Sequence, residues 1–275
     1  MNQEAASGHT RAASVALSVI NKVAERQQLR YGILGVVGVL AIWEAISRLG
    51  LVKTVLISRP TDIVTAAIQA FSTGSIWADI GATLFVFVVG FTISSVLGIG
   101  IGLMSGFYRR FRYVADQWLN ASNVLPDLAI VPLLIVWFGV GLTFKVVLVV
   151  LVGTFYVAIN TLTGVKSAEG RFMRVGHSFG ASRMRVVRTV ILPGSLPYII
   201  TGLRQSAARS IIAVIAAEFI SGNQGIGFFI SLSGSFEETA NVMLGILLLG
   251  ALSIGVNEAF GWVERRLDAW RPAVR

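Results

Sequence analysis

Six runs of mainly apolar residues decide what this chain can fold into. They cover approximately residues 32–50, 80–104, 121–141, 144–164, 196–220 and 241–263. About 20 such residues in helical form cross a bilayer core of roughly 30 Å. The chain has 275 residues, of which 55% are hydrophobic and 13% charged, and its mean hydropathy is +0.75. This composition predicts an all-α, polytopic membrane helix bundle with six transmembrane helices. The third run is the least regular, because Pro126 and Pro132 break or kink a helix and Asp127 is charged.

The net charge of +9 does not indicate nucleic acid, since the basic residues fall in gaps between apolar runs rather than on a soluble face. Their distribution sets orientation instead. With the N-terminus inside, the inner segments hold Arg11, Lys22, Arg26 and Arg30; Arg109, Arg110 and Arg112; Lys166, Arg171, Arg174, Arg183, Arg185 and Arg188; and Arg265, Arg266, Arg271 and Arg275. That is 17 of the 23 Lys and Arg residues, whereas 221–240 holds none. Both termini are therefore expected in the cytoplasm. Residues 1–30 are polar for too long to be a signal peptide. Ala16, Val19, Ile20 and Val23 fall on one helical face, so this tail is either an interfacial helix or disordered.

There is no cysteine, and the two histidines, His9 and His177, lie in polar segments, which leaves neither a thiolate nor a histidine metal site. No G-x-x-x-x-G-K-[ST] stretch is present, so any ATP hydrolysis belongs to a partner. In the second span Gly90, Ser94, Gly98, Gly102 and Gly106 recur every four residues, a ridge of small side chains suited to close helix packing.

The longest inner segment, 164–193, interrupts the apolar pattern. Phe172, Val175, Gly176 and Phe179 are spaced for one helical face, and Gly180 suits a helix stop. A second short piece follows, with Met184 and Val187 apolar among Arg183, Arg185 and Arg188, stopping before Pro193. A basic loop needs no apolar face merely to hold orientation. An apolar stripe rimmed by charge suits docking on another protein.

Gly180, Val190, Leu192 and Pro193 match the spacing of the EAA loop of ATP-binding-cassette importer permeases, with Val in place of Ile. Arg174, Val175 and Gly176 stand where Glu-Ala-Ala is usual. Together with "VPLLIVWFGVG" at 131–141, "ILPGSLPYIITGLRQSA" at 191–207 and "GIGFFI" at 225–230, the chain resembles the branch of that family importing sulfonates, taurine, nitrate or pyrimidine precursors. The resemblance covers nearly all of 31–270. It implies a type I importer permease fold, with 1–30 and 271–275 as cytoplasmic tails, in a bacterial inner membrane. It also implies a homodimer of permeases, a cytoplasmic ATPase pair that binds ATP and Mg, and an external solute-binding protein. Phe172, Val175, Phe179, Gly180, Arg183, Arg185, Leu192 and Pro193 are then the expected ATPase-coupling residues.

Candidates for the solute path are Asp127, Arg209, Phe228 and Phe229. Asp127 sits in a proline-broken segment, tolerated at membrane depth where it lines a cavity; a simple helix-entry turn is the other reading. Arg209 either lines the path or is a hydrogen-bonded arginine between helices. Phe228 and Phe229 follow the glycines of the outer loop as a plug or gate, with Glu237 and Glu238 beyond them for the binding protein. Arg204 is expected to reach headgroups, Glu44 and Glu258 to be structural, and Glu218 to meet a partner permease or the binding protein. A secondary carrier would need paired acidic groups and a repeated half-structure; a membrane scaffold would share the docking surface without moving solute.

Overall fold

A computed structural model describes residues 27, 30–50, 53, 56–124, 126–178 and 182–268. Every element among them is helical. In chain order they are α1 (Arg30–Arg48), α2 (Pro60–Thr73), α3 (Ser75–Phe107), α4 (Arg109–Val124), a 3-10 turn (Asp127–Ile130) and α5 (Val131–Phe138). There follow α6 (Leu142–Ser178), α7 (Arg183–Val186), a π-helical turn (Val187–Ile191), α8 (Leu192–Ser221), α9 (Ile226–Ser235) and α10 (Thr239–Asp268).

The chain divides into two units, Met1–Thr65 and Ala66–Arg275. In the first, the Glu44 carboxylate accepts from Arg48 Nε at 2.6 Å and from Thr61 Oγ1 at 3.0 Å. Glu44 thus joins α1 to the start of α2, as its structural reading expected.

In the second unit α6 packs along both α3 and α8. Val86 and Phe87 of α3, Phe144, Leu148, Val149 and Val152 of α6, and Ile211 and Val214 of α8 form the core with Val131 and Leu134 of α5. The ridge of small residues on α3 is buried throughout. A Cβ on Gly90 would stand 2.6 Å from Val149 Cγ1, on Gly98 2.5 Å from Val157 Cβ, and on Gly102 2.5 Å from Thr161 Cβ. Glycine is required there because α6 occupies the space of a side chain. Bare glycines facing valines let the two backbones close to contact, which supplies dispersion where lipid offers no hydrophobic gain.

Five spans follow the expected plan: Arg30–Arg48, Ser75–Phe107, Leu142–Ser167, Met184–Ile220 and Thr239–Arg266. The expected third span at 121–141 is broken. Arg109–Ser122 and Asp127–Phe138 are bent by 98° from one another. The chain turns beside Pro126, which precedes the 3-10 turn, whereas Pro132 is accommodated in the first turn of α5.

The 164–193 segment also differs from expectation. The predicted separate helix is the end of α6, which runs without a break to Ser178. Phe172 and Val175 fall in this helix, although their side chains lie outside the described part, and Phe179 and Gly180 lie outside the described residues altogether. The second piece does not stop before Pro193: the π turn runs straight into α8, with Pro193 in the first turn of that helix. Val186, Val187 and Ile191 are buried against Val165, with Leu103, Phe107 and Leu192 around them. Met184, expected on the apolar face, is 58% exposed.

Candidate functional site

Two polar assemblies stand out on this scaffold, at different heights. The first is a face shared by α6 and α8. On α6, Tyr156, Asn160, Thr163 and Ser167 follow the spacing of one helical face; on α8, Tyr198, Thr201, Gln205 and Arg209 do the same. Tyr198, Gln205 and Arg209 are exposed in the single chain. Asn160 Nδ2 donates to Gln205 Oε1 at 3.0 Å, tying the stripes together. Thr163 and Thr201 donate back to carbonyls one turn earlier, at 2.8 and 3.0 Å. Polar side chains on spanning helices are costly against lipid, so such a face belongs to water or to protein.

At mid-length of α8, the Arg209 Cζ lies 5.2 Å from the centroid of the Tyr156 ring. Asp127 lies close enough to Tyr156 to act on its hydroxyl electrostatically. No carboxylate among the described residues lies within ion-pair reach of Arg209. Asp127 also borders a cavity of about 430 Å³ between α4, the 3-10 turn, α5 and α6, with Trp118, Pro126, Ile130, Leu133 and Phe155 in its wall.

The second assembly surrounds Glu218, which is fully buried and faces neither a partner permease nor a binding protein. Its carboxylate accepts from Thr83 Oγ1 at 2.8 and 3.1 Å and from the Gly227 amide at 2.8 Å. Thr83 Oγ1 in turn accepts from the Ile226 amide at 2.9 Å, and Asp79 Oδ1 accepts from the Gly225 amide at 2.8 Å. Three amides at the start of α9, which no helical carbonyl can reach, are thereby satisfied from α3 and α8, with negative charge at the positive helix end. Lys145, 5% exposed, donates to the Gln224 carbonyl at 3.1 Å. Gly225 has φ +121, and a side chain on it would fall on the Glu218 carboxylate, so only glycine fits.

Phe228 and Phe229 are not with Asp127 and Arg209. They lie on α9, Phe228 against Gly222 and Phe229 against Gly245 of α10. Arg204 does not reach for headgroups: its Nε donates to Asn257 Oδ1 at 3.0 Å and its Nη1 pairs with Glu264 Oε2 at 3.0 Å, joining α8 to α10. Glu258 is 4.0 Å from Arg265 on the exposed side of α10. Of the remaining coupling candidates, Arg185 and Pro193 are exposed and Leu192 is half-buried. Arg183 starts α7, and its side chain is outside the described part.

Comparison with known proteins bears on this arrangement. Residues 94–270 match the family described as the binding-protein-dependent transport system inner membrane component. The chain belongs to that family. The taurine transport system permease protein TauC of Escherichia coli (strain K12) is 31% identical over 86% of this chain and 88% of its own. The putative aliphatic sulfonates transport permease protein SsuC of the same organism is 32% identical over 86% and 90%. The fold is that of solved importers: the membrane chain of an amino acid ABC transporter superposes with a TM-score of 0.62 at 17% identity, over 73% of this chain and 97% of that one. As a binding-protein-dependent inner membrane component, the chain is a multi-pass permease subunit of an ABC importer in the sulfonate and taurine branch. Membership implies an ATPase partner and a solute-binding protein.

Sequence reasoning missed Tyr156, Asn160 and Gln205, although "FYVAINTLTGVKS" carries its polar residues at helical spacing. It also missed Asp79, Thr83 and Lys145. No spacing rule joins residues on three helices, and the one available signal was a buried-looking Glu218 near glycines with no partner on its own helix.

Proposed function

We propose that this permease provides the solute path of an ATP-driven importer of small organic anions of the sulfonate class, working as a pair of identical copies. The observation that carries this reading is the uncovered polar face of α6 and α8 on spanning helices, with Arg209 at mid-length. Two copies set face to face enclose such surfaces around water and remove the cost of exposing them to lipid. The names of the relatives support a sulfonate or taurine-like solute. Phe228 and Phe229 then stand at the outer mouth, and the basic 164–193 segment at the cytoplasmic end.

Coupling runs through that segment. Phe172, Val175, Phe179 and Gly180 face a groove of the ATPase, Arg183 and Arg185 meet its acidic groups, and Leu192 and Pro193 join the contact to α8. Closure of the ATPase pair, which holds ATP and Mg, moves α6 and α8 together because Val165, Val187 and Ile191 are packed in one cluster.

The chain has no cysteine, so any introduced thiol is unique. Asn160→Cys and Gln205→Cys in the assembled transporter are expected to react with a membrane-impermeant maleimide, and Val96→Cys, on the lipid-exposed side of α3, is not. A pair of path positions that label no faster than Val96→Cys refutes the water-lined face. Arg185→Glu is expected to leave the complex assembled while uptake falls several-fold; unchanged uptake refutes the coupling role.

A further inference from the structure

The end of α1 remote from the N-terminal tail, with the segment that follows it, carries three buried donors that have nothing to donate to. Trp43 Nε1, Ser47 Oγ and Arg59 Nε have no hydrogen-bond partner among the described residues, and Ser47 is only 2% exposed. Ser95 of α3 and Thr154 of α6 instead return their protons to the carbonyl one turn earlier, each at 2.6 Å. Leaving a buried donor unmade is costly, so these three call for acceptors from outside the chain.

Trp43 and Ser47 line a cavity of about 270 Å³, walled otherwise by Val39, Ile42 and Ile46 of α1 and by Ile57. From Val39 to Ser47 is about 12 Å of helix axis, so the cavity is apolar below and carries its donors at the end nearest Arg48. Arg59 belongs to that end. It follows Ile57 by two residues and precedes Thr61 by two, and Thr61 is held by the Glu44 carboxylate; two residues of chain reach at most about 7 Å. Between Glu44 and Asp62 there are three cations, Arg48, Lys53 and Arg59, against those two carboxylates. Glu44 is committed to Arg48, and Asp62 is exposed in the first turn of α2. Arg59 forms no ion pair among the described residues.

We propose that this cavity binds an anionic phospholipid, one acyl chain lying along Val39, Ile42 and Ile46 and the phosphate and ester oxygens accepting from Ser47, Trp43 and Arg59. The donors sit within about a turn of the charged end of α1, the level at which headgroups begin and at which tryptophan is favoured. A helix of a second copy would cover the apolar wall but brings no free acceptors, because its carbonyls are committed to its own ladder. A free anion would take Arg59 and leave the apolar wall bare. An amphiphile with acceptors at one end satisfies both, and the guanidinium selects a net negative headgroup. The lipid bridges α1 and the start of α2, the two segments that Glu44 already joins, and the site is independent of the solute path.

The test uses the purified permease–ATPase complex, stripped of lipid in a nonionic detergent and titrated with radiolabelled dioleoylphosphatidylglycerol. Saturable binding of the probe is expected, with dioleoylphosphatidylethanolamine competing about tenfold more weakly for want of a net charge. Glycerol 3-phosphate, which has the phosphate without the chains, is not expected to compete at equal concentration. Arg59→Gln is expected to remove the preference for phosphatidylglycerol and Arg59→Lys to retain most of it, whereas Lys53→Gln, which removes an exposed cation from the same stretch, leaves it within about twofold. Val39→Trp fills the groove from a position 65% exposed and is expected to lower binding of both lipids by about tenfold or more in an intact complex. Equal competition by the two lipids, displacement by glycerol 3-phosphate, or a loss with Lys53→Gln as large as with Arg59→Gln overturns the proposal. So does unchanged binding to Val39→Trp, or the absence of saturable binding in the assembled complex, the result expected where a second copy covers the groove.

Discussion

Gly98→Ala tests the seam on which the bundle depends, and Gly100→Ala, two residues along the same helix, provides its control. The methyl added at Gly98 would stand 2.5 Å from Val157 Cβ and 2.8 Å from the Thr154 carbonyl oxygen. At Gly100 it would meet nothing within 4 Å. Carbon atoms rest at about 3.5–4.0 Å, so α3 and α6 must separate by roughly 1 Å at this level. They cannot do so locally, because Gly90 and Gly102 are equally close to α6 on either side. Overpacking of this kind costs about 1–3 kcal/mol. With some 2–4 °C per kcal/mol for a chain of this size, the melting temperature in a fixed detergent is expected to fall by roughly 2–12 °C. Both substitutions change helix propensity identically, so the difference between them reports the seam alone. Intrinsic fluorescence of the six tryptophans follows the transition. A Gly98→Ala protein that melts with Gly100→Ala refutes the close-approach argument.

Other perturbations follow from the same contacts. Glu218→Ala leaves the Thr83 hydroxyl and the Gly227 amide unmatched, at about 1–3 kcal/mol for each orphan. Asn223→Cys in that background is expected to label faster than in the parent, and equal rates mean the carboxylate does not hold the loop; Glu218→Gln, which keeps an acceptor, is the milder change. A double-mutant cycle on Arg204 and Glu264, whose side chains are each 42% exposed, is expected to give a coupling of about 0.2–1 kcal/mol. A value above about 2 kcal/mol means that the pair is buried when two copies assemble.

How far the sequence revealed this follows from what each signal measures. Spans are a matter of length and apolarity, and five of six came out continuous. The α3 ridge was legible because its four-residue period is local, although the partner row of Val149, Val157 and Val165 was invisible until α6 was placed against it. The break at Pro126 was legible as a fault, but its depth of 98° was not, since the bend is set by what the turn packs against. Met184 and Val187 show the limit of a local pattern: both are apolar and were expected together, yet Val187 is buried and Met184 exposed, because which one is buried depends on the phase that the π turn gives the chain before α8. Arg204 and Glu218 were misjudged for a common reason. Each was weighed against lipid or a partner, whereas its counterpart lay 60 residues away on α10 or on α3 and α9.

The placement of these features along α8 gives the helix a mechanical meaning. It begins at the π turn, where Val187 and Ile191 are buried with Val165 of α6, and ends at Glu218, whose carboxylate holds α9 to α3. The 30 residues of α8, Leu192–Ser221, make a helix about 45 Å long, with Pro197 inside it lacking an amide proton to give. The wider π turn is its least regular part, and π turns recur where helices serve function. In the proposed coupling, displacement of the basic segment enters α8 at a pliant joint and leaves it at a rigid one, because the Glu218 carboxylate near its far end accepts from both the Gly227 amide of α9 and the Thr83 hydroxyl of α3. Arg209 and Gln205 lie between, so a tilt of the rod that reaches α9 must also carry the polar face that Asn160 shares with Gln205. A single helix thus links the proposed coupling segment, the proposed solute path and, through Glu218, the short helix bearing Phe228 and Phe229.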